Sequence, residues 1–418
     1  MAPTDVKEGL IELKKSALFR SKTESWISDA NLAGMYPDWL NRLSEELTSR
    51  TWPIEFEPIV EKLIDGVPLS REDGRFLFNT SRLDILGEIA NKVKQSKFGN
   101  KIFFNVNVHI NHTNICTLAC KFCAFRRGRK AKDAYAMSPQ QYVEDIALYA
   151  KDVDEIHSVG GLHPDWDISH FEAMFSEAKK QFPEIHIKAL TAVEIKHIAN
   201  LSNLSILETL TKLSKAGLGS LPGGGAEILD DNVRAVICKG KESSKEYLDI
   251  HGQAHLLGMP TNCTMLFGTV ETVDQRLTHL LKLRKQQDKT NGFQCFVPYP
   301  YLADNSRLPE AQLASANEIL RVIAISRLML NNIPHIKAYR MNIGDNMSEL
   351  ALGFGADDLD GTVQKESIMH LAGSSTPLDH DRESLTKIIS NIGSIAIQRN
   401  TIYTSFSIYQ RKNLPMVH

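Results

Sequence analysis

From residue 103 onward, short apolar runs alternate with longer amphipathic stretches, and no other feature limits the possible folds so tightly. Eight strand-like runs fall at 103–109, 155–159, 186–189, 217–221, 261–267, 293–297, 335–340 and 357–359. Helical patterns lie between them at 139–150, 171–181, 206–216, 247–257, 273–287, 313–331 and 348–353. Crossovers of this length pair strands in parallel, since an antiparallel neighbour needs only a tight turn. Eight units in roughly 260 residues match a (β/α)8 TIM-type barrel. An open doubly wound sheet is the alternative, but no G-x-G-x-x-G follows the first run. The expected α/β organisation is an N-terminal helical extension over 1–100, the barrel over 101–375, and a C-terminal helical tail over 376–418 packed on it. In the extension, Trp39, Leu40, Leu43 and Leu47 share a face, and helices are expected at 59–64, 70–78 and 83–94, with Ser70 as an N-cap. The tail should carry a helix at 383–395.

A barrel gathers its chemistry at the C-terminal ends of its strands. Cys116, Cys120 and Cys123, at C-x3-C-x2-C spacing, follow the first run. Gly160-Gly161-Leu162-His163-Pro164-Asp165-Trp166 follows the second, and Thr191 to Glu194 the third. Pro222-Gly223-Gly224-Gly225-Ala226-Glu227 follows the fourth, and Asp358 to Thr362 closes the eighth. Three thiolates are the informative number. A closed zinc site takes four protein ligands, whereas a cubic iron–sulfur cluster on three cysteines keeps one iron open. Zinc shared with His109 or His112, or plain buried thiols, are the competing readings. Cys263 and Cys295 lie inside apolar runs and read as packing residues.

The glycine pair is a tight turn or a close backbone approach to a ligand. The triple glycine lacks the Lys-Ser/Thr of a phosphate-binding P-loop, which leaves close ligand approach, with Glu227 as an acceptor or as an N-cap carboxylate. Arg340 offers a fork for a substrate carboxylate, or an ion pair with Asp358 or Asp360. The basic run Arg126-Arg127-Gly128-Arg129-Lys130-Ala131-Lys132 is a solvated loop or a docking face for an acidic electron donor.

The chain has 418 residues with 48 basic and 50 acidic side chains, a net charge of −2. That balance argues against sequence-independent nucleic-acid binding. No apolar run is long enough to cross a bilayer and residues 1–20 lack a signal-peptide core, so no membrane association and a cytoplasmic location are expected.

The cysteine spacing, with Phe122 before the last thiol, resembles the signature of the radical S-adenosylmethionine (radical SAM) superfamily. Within it, the stretches 159–166, 187–195, 220–228, 333–339 and 354–362 resemble the aminofutalosine synthase family, over about residues 66–375. The cyclase of the same pathway and the deazaflavin (FO) synthase subunits are neighbouring families. The resemblance implies a [4Fe–4S] cluster on Cys116, Cys120 and Cys123, with SAM as co-substrate. It implies addition of the 5′-deoxyadenosyl group to 3-[(1-carboxyvinyl)oxy]benzoate, giving 6-amino-6-deoxyfutalosine in menaquinone biosynthesis. By the same carry-over Phe122 lies near the adenine, Gly160 and Gly161 contact the methionine end, and Glu227 faces the ribose or the substrate. Arg340, Thr191 and Asp358 become substrate-binding candidates, and flavodoxin or ferredoxin the expected electron donor.

Overall fold

The computed structural model describes residues 33–409. The part of the expected extension before Ala33 lies outside them. The four described helices of the extension are Trp39–Thr48, Glu57–Ile64, Arg71–Asn79 and Leu83–Phe98. Ser70 is the anticipated cap: its hydroxyl accepts from Asp73 N, and the Asp73 carboxylate accepts from Ser70 N. Helix Leu83–Phe98 packs against Ala316–Met329 on the outside of the barrel.

The strands are β1 (Lys101–Asn105), β2 (Asn107–His109), β3 (Glu155–Ser158), β4 (His186–Ala189), β5 (Leu218–Ser220), β6 (Thr261–Phe267), β7 (Phe293–Pro300), β8 (His335–Ile336), β9 (Asp358–Gly361), β10 (Ile395–Arg399) and β11 (Phe406–Ile408). Parallel ladders join β2–β3–β4–β5 and β6–β7–β8. Single bridges, Leu221 with Thr261 and Lys337 with Asp358, link these arcs to each other and to β9. β9 pairs in parallel with β1, with Phe103 opposite Asp358, and the ring of eight closes. Several of the helices between strands start on Ser or Thr caps with Glu or Gln three residues on, as at Ser138/Gln141, Thr191/Glu194, Ser243/Glu246 and Thr272/Gln275.

Three features depart from expectation. The first run is split at Val106, because its two halves pair with different neighbours: β2 with β3, and β1 with β10. The seventh run stops at Ile336, apart from the Lys337 bridge, because the chain turns into the short helix Arg340–Ile343. The tail has its helix, Arg382–Asn391, but it ends early and a β-hairpin follows. β10 of that hairpin lies parallel to β1, with Lys101 opposite Ile395. It fills the gap beneath β3, where Gln398 Nε2 donates to Asp154 Oδ2 at 3.0 Å.

Candidate active site

The cysteine loop leaves β2 and crosses the C-terminal mouth of the barrel. Its backbone is held from three sides. Cys116 N donates to Arg127 O (3.1 Å), Thr117 N to Leu162 O (3.1 Å), and Lys121 N to Ile237 O (2.8 Å). Arg307 Nη2 donates to Ala119 O at 3.1 Å and Cys120 O at 3.3 Å. The glycine pair makes this seating possible. A Cβ on Gly161 would stand 2.2 Å from Ile115 O, and one on Gly160 would stand 2.6 Å from His112 Nε2. Leu162 thus serves through its carbonyl. Next to it Trp166 is sandwiched between the rings of His163 (4.4 Å) and His170 (3.8 Å), which stiffens the loop after β3.

Beneath the loop is a cavity of about 290 Å³. All three cysteines line it, together with Phe122, Gly160, Thr191 and Glu227. Gly161 stands behind, against the loop backbone. Glu227 adopts a left-handed backbone conformation (φ 47°) in the loop after β5, as do Leu190 (φ 61°) directly after β4 and Asp360 (φ 70°) within β9. Such strain in non-glycine residues concentrates at functional sites. Glu227 is not an N-cap: helix Asp231–Ile237 is capped by Asp230, and Glu227 Oε1 instead accepts from Lys241 Nζ at 2.7 Å. Burial opposes the Lys241 charge, but the Glu227 and Glu242 carboxylates hold it well above the ordinary lysine range. The Lys241 ammonium also sits 5.9 Å from the Phe122 ring centroid. Thr191 is occupied as a cap, donating through its hydroxyl to Glu194 Oε2 at 2.7 Å, while Gly160 N donates to Glu194 Oε1 at 2.9 Å.

Two expected substrate residues are placed elsewhere. Arg340 is fully buried and does not line the cavity; its Nη2 donates to Thr362 O at 2.8 Å and its Nη1 lies 3.4 Å from Asp345 Oδ1. The ion-pair partner is therefore Asp345, and neither Asp358 nor Asp360. Asp358 sits at the base of the barrel, accepting from Arg399 Nε (2.6 Å) and Tyr403 Oη (2.8 Å). Residues that the sequence did not single out take their place on the wall, His157, Lys188, Lys337 and Tyr339, beside Tyr299 and beside His109, which the sequence offered only as a zinc ligand.

The donor set fits an iron–sulfur group. Burial pushes the Cys120 thiol up to about 12 and raises that of Cys123, as it raises the packed Cys263 and Cys295, and what sets Cys116, Cys120 and Cys123 apart is that all three face one cavity. Among the described residues no three His, Cys, Asp or Glu side chains converge as ligands of one ion. Three thiols bound to separate irons need no such convergence. His112, a zinc ligand in the competing reading, is engaged with Ser158 Oγ (3.2 Å) and Glu194 Oε1 (3.4 Å).

Residues 110–283 match the radical SAM superfamily, and residues 290–412 match the CofH/MqnC C-terminal region. An aminodeoxyfutalosine synthase from Thermus thermophilus is 37% identical over 85% of this chain and 96% of its own length. Another from Streptomyces coelicolor is 38% identical over 84% and 94%. The chain belongs to the radical SAM superfamily, in the aminodeoxyfutalosine synthase family. Similarity to neighbouring radical SAM enzymes is also high: a 5-amino-6-(D-ribitylamino)uracil–L-tyrosine 4-hydroxyphenyl transferase from Methanothermobacter thermautotrophicus is 35% identical over 82% of this chain and 96% of its own length. Among solved structures, methylornithine synthase superposes with a TM-score of 0.65 at 19% identity, over 80% of this chain and 96% of its own. That likeness bears on the fold alone. In this radical SAM enzyme the three cysteines therefore belong to the part matched by the superfamily, and the tail hairpin to the C-terminal region.

Proposed function

We propose that the protein joins the 5′-deoxyadenosyl group of SAM to 3-[(1-carboxyvinyl)oxy]benzoate, releasing carbon dioxide and giving 6-amino-6-deoxyfutalosine for menaquinone biosynthesis. The observation that carries this reading is 37–38% identity to two aminodeoxyfutalosine synthases across almost their whole lengths. When bound, the cluster and SAM supply a 5′-deoxyadenosyl radical. The chain's own part is to hold and seclude the reactants. Cys116, Cys120 and Cys123 would carry the cluster, and Phe122, Gly160 and Glu227 line the space beside them that SAM would fill. Gly161 acts by letting the cysteine loop close over that space. Radical addition to a double bond requires the partners roughly 3–3.5 Å apart and little access for other hydrogen donors. The largely apolar wall of the cavity supports that requirement.

The electron would come from a flavodoxin or ferredoxin. Arg127 is spent on Asp133, and Arg129 on Asp165, but Lys130 and Lys132 are exposed and pair with no acid among the described residues, and Arg127 O accepts from Cys116 N directly. Among the described residues no helix is long and apolar enough to cross a membrane.

The second reading is hydrogen abstraction, favoured by the 33% identity to a cyclic dehypoxanthine futalosine synthase from Streptomyces coelicolor. Reconstituted enzyme, dithionite, adenosine-labelled SAM and the carboxyvinyloxy-benzoate decide between them. Label should enter a larger nucleoside with one carbon dioxide per turnover. Label recovered only as 5′-deoxyadenosine would transfer the assignment to the hydrogen-abstracting class.

A further inference from the structure

One tier of the barrel interior is ionic where barrels of this type are usually apolar. In the ladder His109 is opposite His157, and His157 is opposite Lys188, so β2, β3 and β4 contribute one continuous row. All three residues line the cavity, as does Lys337 from across the barrel. Lys188 Nζ meets one acid, Glu155 Oε1 at 2.5 Å; Lys337 Nζ meets Asp360 and stands 4.0 Å from Asp358 Oδ1. An ammonium has three N–H donors, so each lysine keeps donors beyond its nearest acid. The acids have further partners of their own. Glu155 accepts from Asn105 Nδ2 (2.7 Å) and Asn107 Nδ2 (3.4 Å), and Asp358 is taken by Arg399 and Tyr403. Donor capacity is thus in surplus on the cavity side.

The histidines point the same way. Their ring centroids are 4.3 Å apart, and His109 Nε2 and His157 Nδ1 have no hydrogen-bond partner among the described residues. Buried polar nitrogens of this kind are normally completed by a ligand or an ordered water. The third cation on the wall, Lys241, is committed to Glu227 at the cysteine end, and Arg340 is not on the wall at all. Across from the row the wall carries Val297, Tyr299, Tyr339 and Met369, and the one acid among them, Glu366, is spent on Ile368 N (2.7 Å), Met369 N (2.9 Å) and His370 N (3.1 Å).

We propose that Lys188 and Lys337, with the His109–His157 pair, form the receptor for a carboxylate of an aryl-carboxylate substrate, whose ring lies on the Tyr299–Tyr339 wall. This rests on the proposed function for the identity of the whole substrate, but not for the chemistry of the subsite.

The test uses anaerobic, cluster-loaded enzyme with SAM and two probes, 3-methoxybenzoate and its uncharged amide 3-methoxybenzamide, followed by calorimetry. Wild type should favour the carboxylate by roughly tenfold or more, as charge-assisted hydrogen bonds dictate. The charge-balanced variants Lys188→Met/Glu155→Gln and Lys337→Met/Asp360→Asn should each erase that preference, leaving amide binding and SAM binding unchanged. His157→Phe, which disturbs no ion pair, should reduce it in part. Equal affinity of the two probes in wild type overturns the proposal, and that measurement needs no variant to fold. So does a carboxylate preference that survives both paired variants, or equal loss of both probes, which would mark a collapsed pocket. Adenosyl transfer with no carboxylate preference sinks this inference alone. A carboxylate preference with label ending only in 5′-deoxyadenosine sinks the adenosyl-transfer reading alone.

Discussion

Both ends of the barrel interior bury charged side chains, yet they are built on opposite terms. At the base, Asp357 accepts from Arg327, from His335 Nδ1 (2.5 Å) and from Ile336 N (2.9 Å), and Arg327 spends its other donors on Gly355 O and Pro334 O. Asp358 takes two bonds from Arg399 and one from Tyr403. His335 is stacked on Tyr403 at 3.9 Å, and its Nε2 is the atom left over. At the mouth, by contrast, the paired rings of His109 and His157 leave Nε2 of one and Nδ1 of the other without a hydrogen-bond partner among the described residues, on a wall that faces a cavity. Burial and charge therefore do not distinguish a structural network from a site. The distinction lies in whether the bonding capacity is used up inside the protein or left over for something else.

The strongest way to break this comparison is Cys120→Ala. It should abolish turnover and iron loading, read by iron analysis, while the unfolding midpoint of the metal-free chain changes little. Cys263→Ala, in the packed wall, should cost about 1 kcal/mol and keep the iron. Next comes Arg399→Met at the base, which strands a buried carboxylate and should destabilise the chain by roughly 3–5 kcal/mol in denaturant titration. Iron content per folded molecule should stay at the wild-type level; loss of iron without loss of stability would mean that the base serves the site directly.

Gly161→Ala lies between the two. Its new Cβ would meet Ile115 O at 2.2 Å and Cys116 Cβ at 3.0 Å, so the cysteine loop must move. Overpacking of this kind costs about 1–3 kcal/mol, and faster iron loss to a chelator is the readout. Gly128→Ala, with open space around it, is the control.

The base can also be titrated. Burial, with Arg327 nearby, lowers the Lys97 ammonium to about 7. Between that value and the ordinary 10.5 the unfolded chain binds more protons, so Lys97 makes stability rise with pH and the contribution is lost as pH falls toward 7. Wild type should gain on Lys97→Met by about 1 kcal/mol per pH unit between roughly pH 8 and 10, in paired denaturation curves. A pH-independent difference would show that Lys97 stays charged in the fold. The smallest effect expected is at the rim: charge reversal of Lys130 and Lys132 should slow turnover with flavodoxin severalfold and spare turnover with dithionite. Equal slowing with both donors would remove the docking role.

The eight strands, the loop cysteines and the glycine turns were legible because each has a local signature: period, spacing, or a residue type that only a tight approach requires. Glu227 and Thr191, both of which line the cavity, were singled out for the same reason, although Thr191 proves to be a helix cap. Arg340 was misplaced because a strand-like run, Lys337 to Tyr339, carries no sign that the chain will leave the sheet. The row His109–His157–Lys188 exists only in the register between strands, which periodicity within each strand cannot supply. Nor does anything local to residues 395–399 announce that their partner is a strand almost three hundred residues earlier, Lys101–Asn105.

That late pairing sets a biosynthetic order. The ribosome releases β1 early, but its lower edge stays open until Ile395–Arg399 emerges, because β10 and not β3 covers it. Arg399 arrives at the same moment and Tyr403 just after it, and until then Asp358 has neither of these partners. A nascent barrel therefore waits with an exposed strand edge and an uncompensated buried acid, the two conditions under which a chain recruits chaperones or aggregates. Slow translation of the last stretch, or a fusion that hinders the hairpin, should lower soluble yield even though every residue that touches the cavity has already been made.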